Sequence, residues 1–154
     1  MLNIASASPQ DIADVRLLFG EYAQLVAEAL CFQNFDEETA VLPGAYAPPG
    51  GALLIARDGQ IAAGCVALRR LDAGTGEMKR MYVRERYRGS GLGRRLAVAV
   101  IDEARKRNYA RLVLDTLPKL TSAISLYGDL GFRACGPYLP APTPGALCFE
   151  LRLS

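Results

Sequence analysis

Ile12, Val15, Leu18, Phe19, Tyr22, Leu25, Val26 and Ala29 recur at three- and four-residue steps, a stripe that predicts an amphipathic helix running to about Leu30. Ser8-Pro9-Gln10-Asp11 precedes it with an N-cap, a proline at the first helical position and an acid in the first turn. Leu2 to Ala7 ahead of that reads as a short strand. Leu53 to Arg57 and Ile61 to Leu71 are β-like runs separated by the hairpin signal Asp58-Gly59, and Gly74 to Gly76 makes a second turn before the strand Glu77 to Val83. An antiparallel meander is predicted from these. Further on, Arg94 to Arg107 is helical, Arg111 to Asp115 a strand, Leu120 to Leu130 a helix ending at Gly131, and Phe132 to Cys135 a strand. Ala146 to Leu153 alternates as a last strand. Between these elements, Cys31 to Pro49 mixes aromatics, acids and prolines around a short helix at Asp36 to Leu42, a lid candidate, and Gly136 to Gly145 is a proline-rich loop.

The chain of 154 residues, 51% of them hydrophobic, reads as one domain over 1–154 that can bury a core without a metal or disulfides. A formal charge of +2 is too small to point to nucleic acid, and the basic residues gather around a glycine loop instead. Cys31, Cys65, Cys135 and Cys148 are widely spaced and no histidine exists in the chain, so no metal site is expected. Cys65 and Cys148 sit in apolar runs as small hydrophobes, whereas Cys31 lies in a loop and has no histidine to form a nucleophile pair. The first cationic residue is Arg16, and apolar runs stay far below the ~18 residues of a membrane span, so a soluble, cytoplasmic protein with no membrane partner is the expectation.

The chemistry concentrates in Arg88-Gly89-Ser90-Gly91-Leu92-Gly93, which joins a strand to a helix. Its glycines thin the backbone so that amide N–H groups can converge on an anion. The first helical turn carries Arg94 and Arg95 where acids are favoured, an inversion that suits a ligand bringing negative charge, while Arg105, Lys106 and Arg107 sit normally at the far end. A dinucleotide fingerprint would need glycine at Arg94, and the phosphate loop of nucleotide hydrolases is absent. The bland alternative is a glycine-rich turn with Ser90 as an N-cap.

Arg88-x-x-Gly91-x-Gly93 after Met78-Lys79-Arg80-Met81-Tyr82-Val83 resembles the acyl-CoA pyrophosphate motif of the GNAT family of N-acetyltransferases. Leu126-Tyr127-Gly128-Asp129-Leu130-Gly131-Phe132 resembles that family's Leu-Tyr-x-x-x-Gly-Phe motif, and the order of elements agrees along the whole chain. The resemblance implies an α/β (α+β) acyl-CoA N-acyltransferase fold: a mixed, mostly antiparallel sheet with flanking helices and strands four and five splayed apart. The pantetheine arm of acetyl-CoA would lie in that gap along the backbone of Met81, Tyr82 and Val83, with the pyrophosphate surrounded by Arg88, Gly89, Ser90, Gly91, Leu92, Gly93 and Arg94. The family's cofactor-contacting Asn is replaced here by Leu120, three residues before Ala123, so Lys119, Thr121 or Ser122 stands in for it or nothing does. Arg86 and Lys119 are candidates for the 3′-phosphate.

Glu77 is the expected base, acting directly or through an ordered water. In an unbroken strand it shares a face with Lys79, Met81 and Val83, which a bulge would change, and its alternative role is a solvated strand-end acid paired with a cation such as Lys79. Tyr127 is the expected acid for the departing thiolate, because a phenol stays protonated at neutral pH yet can donate; packing of the last helical turn is its alternative. A backbone N–H near Met81 would meet the oxyanion. Leu30 to Phe35 and Gly136 to Gly145 should recognise the acceptor, with Tyr22, Gln33, Asn34, Arg70 and Tyr138 as contributors.

These features together imply an acetyl-CoA-dependent N-acetyltransferase that moves acetyl to a small primary amine by direct transfer in a ternary complex, without a metal. A non-catalytic acyl-CoA-binding or sensing domain, and a protein- or tRNA-modifying acetyltransferase, are the other readings. The alternating last strand, Cys148 to Leu153, makes a homodimer conceivable.

Overall fold

Alternation along the chain becomes one sheet covered on both faces. A computed structural model describes residues 1–26 and 35–153. Their strands are β1 (Leu2–Ser6), β2 (Ala52–Asp58), β3 (Ile61–Asp72), β4 (Thr75–Val83), β5 (Arg111–Thr116), β6 (Arg133–Cys135) and β7 (Leu147–Arg152). Their helices are α1 (Ile12–Leu25), α2 (Phe35–Ala40), α3 (Leu92–Lys106) and α4 (Thr121–Asp129). The expected continuation of the first helix to Leu30, and the roles suggested for Cys31, Gln33 and Asn34, lie outside the described residues. Among those described, no helix is long and apolar enough to cross a membrane.

The strands form a seven-stranded sheet in the order β1-β2-β3-β4-β5-β7-β6. All neighbours are antiparallel except β4 and β5, so the sheet is mixed but mostly antiparallel, as the family resemblance implies. On one face Leu54, Val66, Leu68 and Met78 pack against Leu96, Val100 and Ala104 of α3 and Tyr127 of α4. On the other, Leu53, Ile55, Cys65 and Ala67 pack against Val15, Leu18 and Phe19 of α1, with Tyr46 beside them. Burial on both faces explains why β2 and β3 read as nearly continuous apolar runs. The start of α1 is fixed by a reciprocal Ser8–Asp11 capping box on the preceding turn and by Arg57 of β2, which reaches both Asp11 and Asp14 at 2.7 Å.

β4 positions the site. It pairs with β5 only through Thr75–Arg111, Gly76–Leu112 and Glu77–Val113, after which the two strands part. On its other edge, Ala67 faces Lys79 and Cys65 faces Tyr82, so Val66 alone meets both Arg80 and Met81. This is a β-bulge, and Arg80 occupies it at φ +60°. Gly64 completes the junction: a Cβ there would lie 2.6 Å from the Tyr82 carbonyl oxygen. Gly64→Ala should therefore destabilise the protein by about 1–3 kcal/mol, read from urea denaturation midpoints at constant m-value; an unchanged midpoint would show that the strands separate freely there.

Candidate active site

The glycine loop has the geometry that an anion cradle needs. Gly89 and Gly91 hold φ values of +81° and +83°, a region that side-chain-bearing residues rarely adopt, and Gly91 is the N-cap of α3 without any side-chain cap. No acid occupies the first turn of α3. Ser90 is not the N-cap: its hydroxyl donates to the Tyr87 carbonyl and braces the loop. Arg88 is held against the strand end, its Nε donating to the Val83 carbonyl at 3.0 Å and its guanidinium lying 5.8 Å from the Tyr82 ring centroid.

A cleft of about 400 Å³ runs from this loop along the end of β4. Met81, Tyr82 and Val83 line it from the strand, Arg88, Gly89, Gly91, Leu92 and Gly93 from the loop and start of α3, and Ser122 from α4. The expected cofactor residues are thus gathered in one place, apart from two. Ser90 is turned toward Tyr87, and Arg94 is exposed outside the lining. Lys119, Leu120 and Thr121 also border the cleft where the family's Asn would stand. Tyr82 is fixed by Glu21 of α1, which accepts from its hydroxyl at 3.1 Å and from Arg84 at 2.7 Å. The Arg84 hydrogen bond holds the Glu21 carboxyl below its ordinary range.

Where β4 and β5 part, a smaller cavity opens between them, lined by Lys79, Arg80 and Met81 of β4, Asp115 of β5, Tyr22 of α1 and Tyr127 of α4, among others. Tyr127 is 5% exposed and leans on Phe132 with ring centroids 5.7 Å apart, so it packs the helix end and lines the cavity at once. Gly131, at φ +98°, lets the chain turn back so that the Phe132 N–H reaches the Tyr127 carbonyl at 3.0 Å. Burial pushes the Tyr127 phenol well above its usual pKa, so the hydroxyl keeps its proton at neutral pH.

The bulge separates Glu77 from the end of its own strand, while pairing with Arg69 and Val113 sets its face. In place of the shared face of an unbroken strand, Met81 and Val83 pack with the α3 and α4 core, while Tyr82 packs on the α1 side. Glu77 lies on that α1 side, 0% exposed, and both its oxygens are engaged. Arg69 donates to one at 2.5 Å and the Tyr138 hydroxyl to the other at 2.6 Å. Its cation partner is therefore Arg69 of the facing strand rather than Lys79. Tyr138 joins the site through this bond, whereas Arg70 is exposed.

The sequence reading missed Asp115. It is the penultimate residue of β5 and follows the buried Leu112, Val113 and Leu114, and an acid directly after such an apolar run near the tip of a parallel strand was the available signal. Burial pushes its carboxyl above the ordinary range; Lys79 and Arg80 pull it down and Glu77 pushes it up. Arg80 and Glu38 were also unforeseen: the buried guanidinium donates twice to the Glu38 carboxylate, at 3.0 Å each, and ties α2 to the bulge.

The sequence model of the Acetyltransferase (GNAT) family matches residues 15–132. An uncharacterised N-acetyltransferase of Schizosaccharomyces pombe is 41% identical over 148 residues, covering 95% of this chain and 91% of its own. A GNAT-family acetyltransferase from Staphylococcus aureus superposes with a TM-score of 0.85 at 22% identity over 100% of both chains. A Salmonella typhimurium acetyltransferase, solved with acetyl-CoA, superposes with a TM-score of 0.81 at 21% identity over 100% of this chain and 95% of its own. The loop, the parted strands and the matched span agree, and the chain belongs to the GNAT acetyltransferase family.

Proposed function

We propose that this protein is an acetyl-CoA-dependent N-acetyltransferase that moves acetyl to a small primary amine by direct transfer in a ternary complex. The observation that carries the reading is the adjacency of the cleft at the glycine loop to the cavity between β4 and β5: the two share Met81, Leu120 and Ala123 in their walls, and Tyr127 and Asp115 line the second. The residues fit the cofactor. Pairing of β4 with β5 ends at Glu77, which leaves the β5-facing backbone edge of Met81 to Val83 available to amide groups laid alongside it as an added strand. The amides around Gly89, Gly91 and Gly93 and the acid-free start of α3 suit a diphosphate. Acetyl-CoA bound there supplies the activated acetyl thioester.

The chain's own groups then divide the work. The Tyr127 hydroxyl, kept protonated by burial, donates to the departing sulfur. The Met81 N–H is the candidate donor to the developing oxyanion. Glu77, with both oxygens engaged, holds Tyr138 and Arg69 on the acceptor side instead of meeting substrate itself. Direct transfer is favoured because the described cysteines make poor acetyl carriers. Burial raises the thiol pKa of Cys65, Cys135 and Cys148, and Cys65 is on the α1 face, its thiol directed to the Arg80 carbonyl.

Initial-velocity plots against acetyl-CoA and an amine should intersect, whereas parallel lines would replace direct transfer with an acetylated enzyme. Tyr127→Phe should lower kcat by about 10²-fold with an unchanged calorimetric affinity for coenzyme A; full activity would remove Tyr127 as the acid. Thiol release with none of a broad panel of amines, despite tight acetyl-CoA binding, would make the protein a binding module.

The Glu77 pair can be tested by stability alone. Arg69→Met strands a buried carboxylate and should cost about 2–4 kcal/mol, below the full buried-pair penalty because Arg69 is partly exposed. Adding Glu77→Gln to Arg69→Met should recover at least half of that loss. Simple additivity of the two substitutions would mean that Glu77 does not depend on Arg69.

A further inference from the structure

The cavity between β4 and β5 holds two opposite charges that do not meet. Lys79 and Asp115 both line it, and Lys79 pulls the Asp115 carboxyl down, yet among the described residues neither forms an ion pair with the other or with a third group. The other charges nearby are committed: Glu77 to Arg69 and Tyr138, Arg80 to Glu38. Lys79 pairs across the ladder with Ala67, which packs on the α1 side, and Asp115 follows on from Val113, the partner of Glu77, so both present to the side of the sheet opposite α3 and α4. A carboxylate and an ammonium half-buried in one cavity, too far apart to neutralise one another, are complementary to a molecule carrying both charges in the reverse order.

We infer that the acetyl acceptor is a zwitterionic amino acid, its carboxylate taken by Lys79 and its ammonium by Asp115, which accepts the proton that frees the attacking amine. This rests on the acetyltransferase reading and narrows its substrate class. The ammonium gives one proton to Asp115, the nitrogen lone pair forms the N–C bond, and the C–S bond breaks with its electrons on sulfur, which takes the Tyr127 proton. The remaining surplus nitrogen proton restores the Tyr127 phenol, and Asp115 releases its proton to solvent, so the cycle returns every group to its starting state.

Burial supports the assignment, because an acid raised above the ordinary carboxylate range is a better proton acceptor than a solvated one. The groups facing it are Glu77, Lys79 and Arg80 from β4, Cys148 from β7, Tyr138 from the loop before β7 and Tyr22 from α1. Its sign is definite. Activity should rise with pH as Asp115 ionises, with a limb above the ordinary aspartate pKa of 3.8, and the fold's stability contribution from this group should fall across the same interval, since the native state holds the proton more tightly than the unfolded chain.

The test compares amino acids with their methyl esters and with the amines left by decarboxylation, using thiol release for turnover and calorimetry on the protein saturated with coenzyme A for binding. The wild type should favour at least one amino acid over both of its carboxylate-free analogues by about tenfold to hundredfold in kcat/KM and in affinity. Lys79→Met should erase that preference while leaving affinity for coenzyme A and for the decarboxylated amine in place. Asp115→Asn should lower kcat by about 10²-fold or more and abolish the acidic limb of the pH profile. Equal or better use of the carboxylate-free amines by the wild type, or a preference that survives Lys79→Met, would overturn the zwitterion assignment and leave the acetyltransferase standing. Absence of turnover with every acceptor would overturn both.

Discussion

The separation of β4 from β5 is the constraint on which the rest of the molecule depends. Parallel strands normally continue to pair because unpaired backbone groups inside a sheet are costly. Here the pairing stops after Glu77–Val113, and the bulge of Arg80 and Met81 against Val66 turns the remainder of β4 aside. Arg80 sits in the left-handed region without being glycine, a conformation that costs of order 1–3 kcal/mol and that surrounding contacts must hold in place. Its paired hydrogen bonds to Glu38 and the stacking of its guanidinium 5.6 Å from the Phe35 ring centroid do so, and they draw α2 over the same spot. The bulge, the gap and the cover that α2 lays beside them are thus one device.

That device also sorts the acids. Glu77 lies where the strands still pair, and Arg69 and Tyr138 satisfy it completely. Asp115 lies two residues past Val113, where the strands have parted, and it faces Lys79 and Arg80 only at a distance. Two carboxylates on neighbouring strands therefore have different surroundings, one buried with both oxygens hydrogen-bonded and the other lining the cavity without an ion pair among the described residues. The difference follows from strand register, since both residues project to the same side of the sheet.

Much of the fold was legible because its signals are local. The stripe from Ile12, the Asp58-Gly59 hairpin and the glycine after α4 each rest on a period or turn chemistry that neighbours in sequence supply, and the observed elements begin and end within a few residues of the expected ones. The glycine loop could be read for the same reason, through its positive φ angles and the missing acid of α3. The bulge at Arg80 could not: no glycine or asparagine marks it, and the residues that hold it, Glu38 and Phe35, come from α2, about forty residues away in the chain. Hence the face of Glu77 stayed open in the sequence, its partner proved to be Arg69 instead of Lys79, and Asp115 passed as an ordinary strand end. The insertion of β7 between β5 and β6 is tertiary in the same sense.

The two faces of the sheet give the parted strands their chemical meaning. α3 and α4 cover one face, and with them come the loop, the cleft and Tyr127; α1 covers the other, which carries Glu77, Tyr138 and Tyr82. A closed sheet would keep groups from opposite faces apart by its full thickness, and an acetyl group would need a carrier to cross. At the gap no backbone intervenes, so Tyr127 from the α4 side and Asp115 from the α1 side line a single cavity. In the proposed reaction a nucleophile arriving from one side would meet a thioester held on the other without an intermediary, so the parted sheet favours direct transfer before any residue is given a catalytic part.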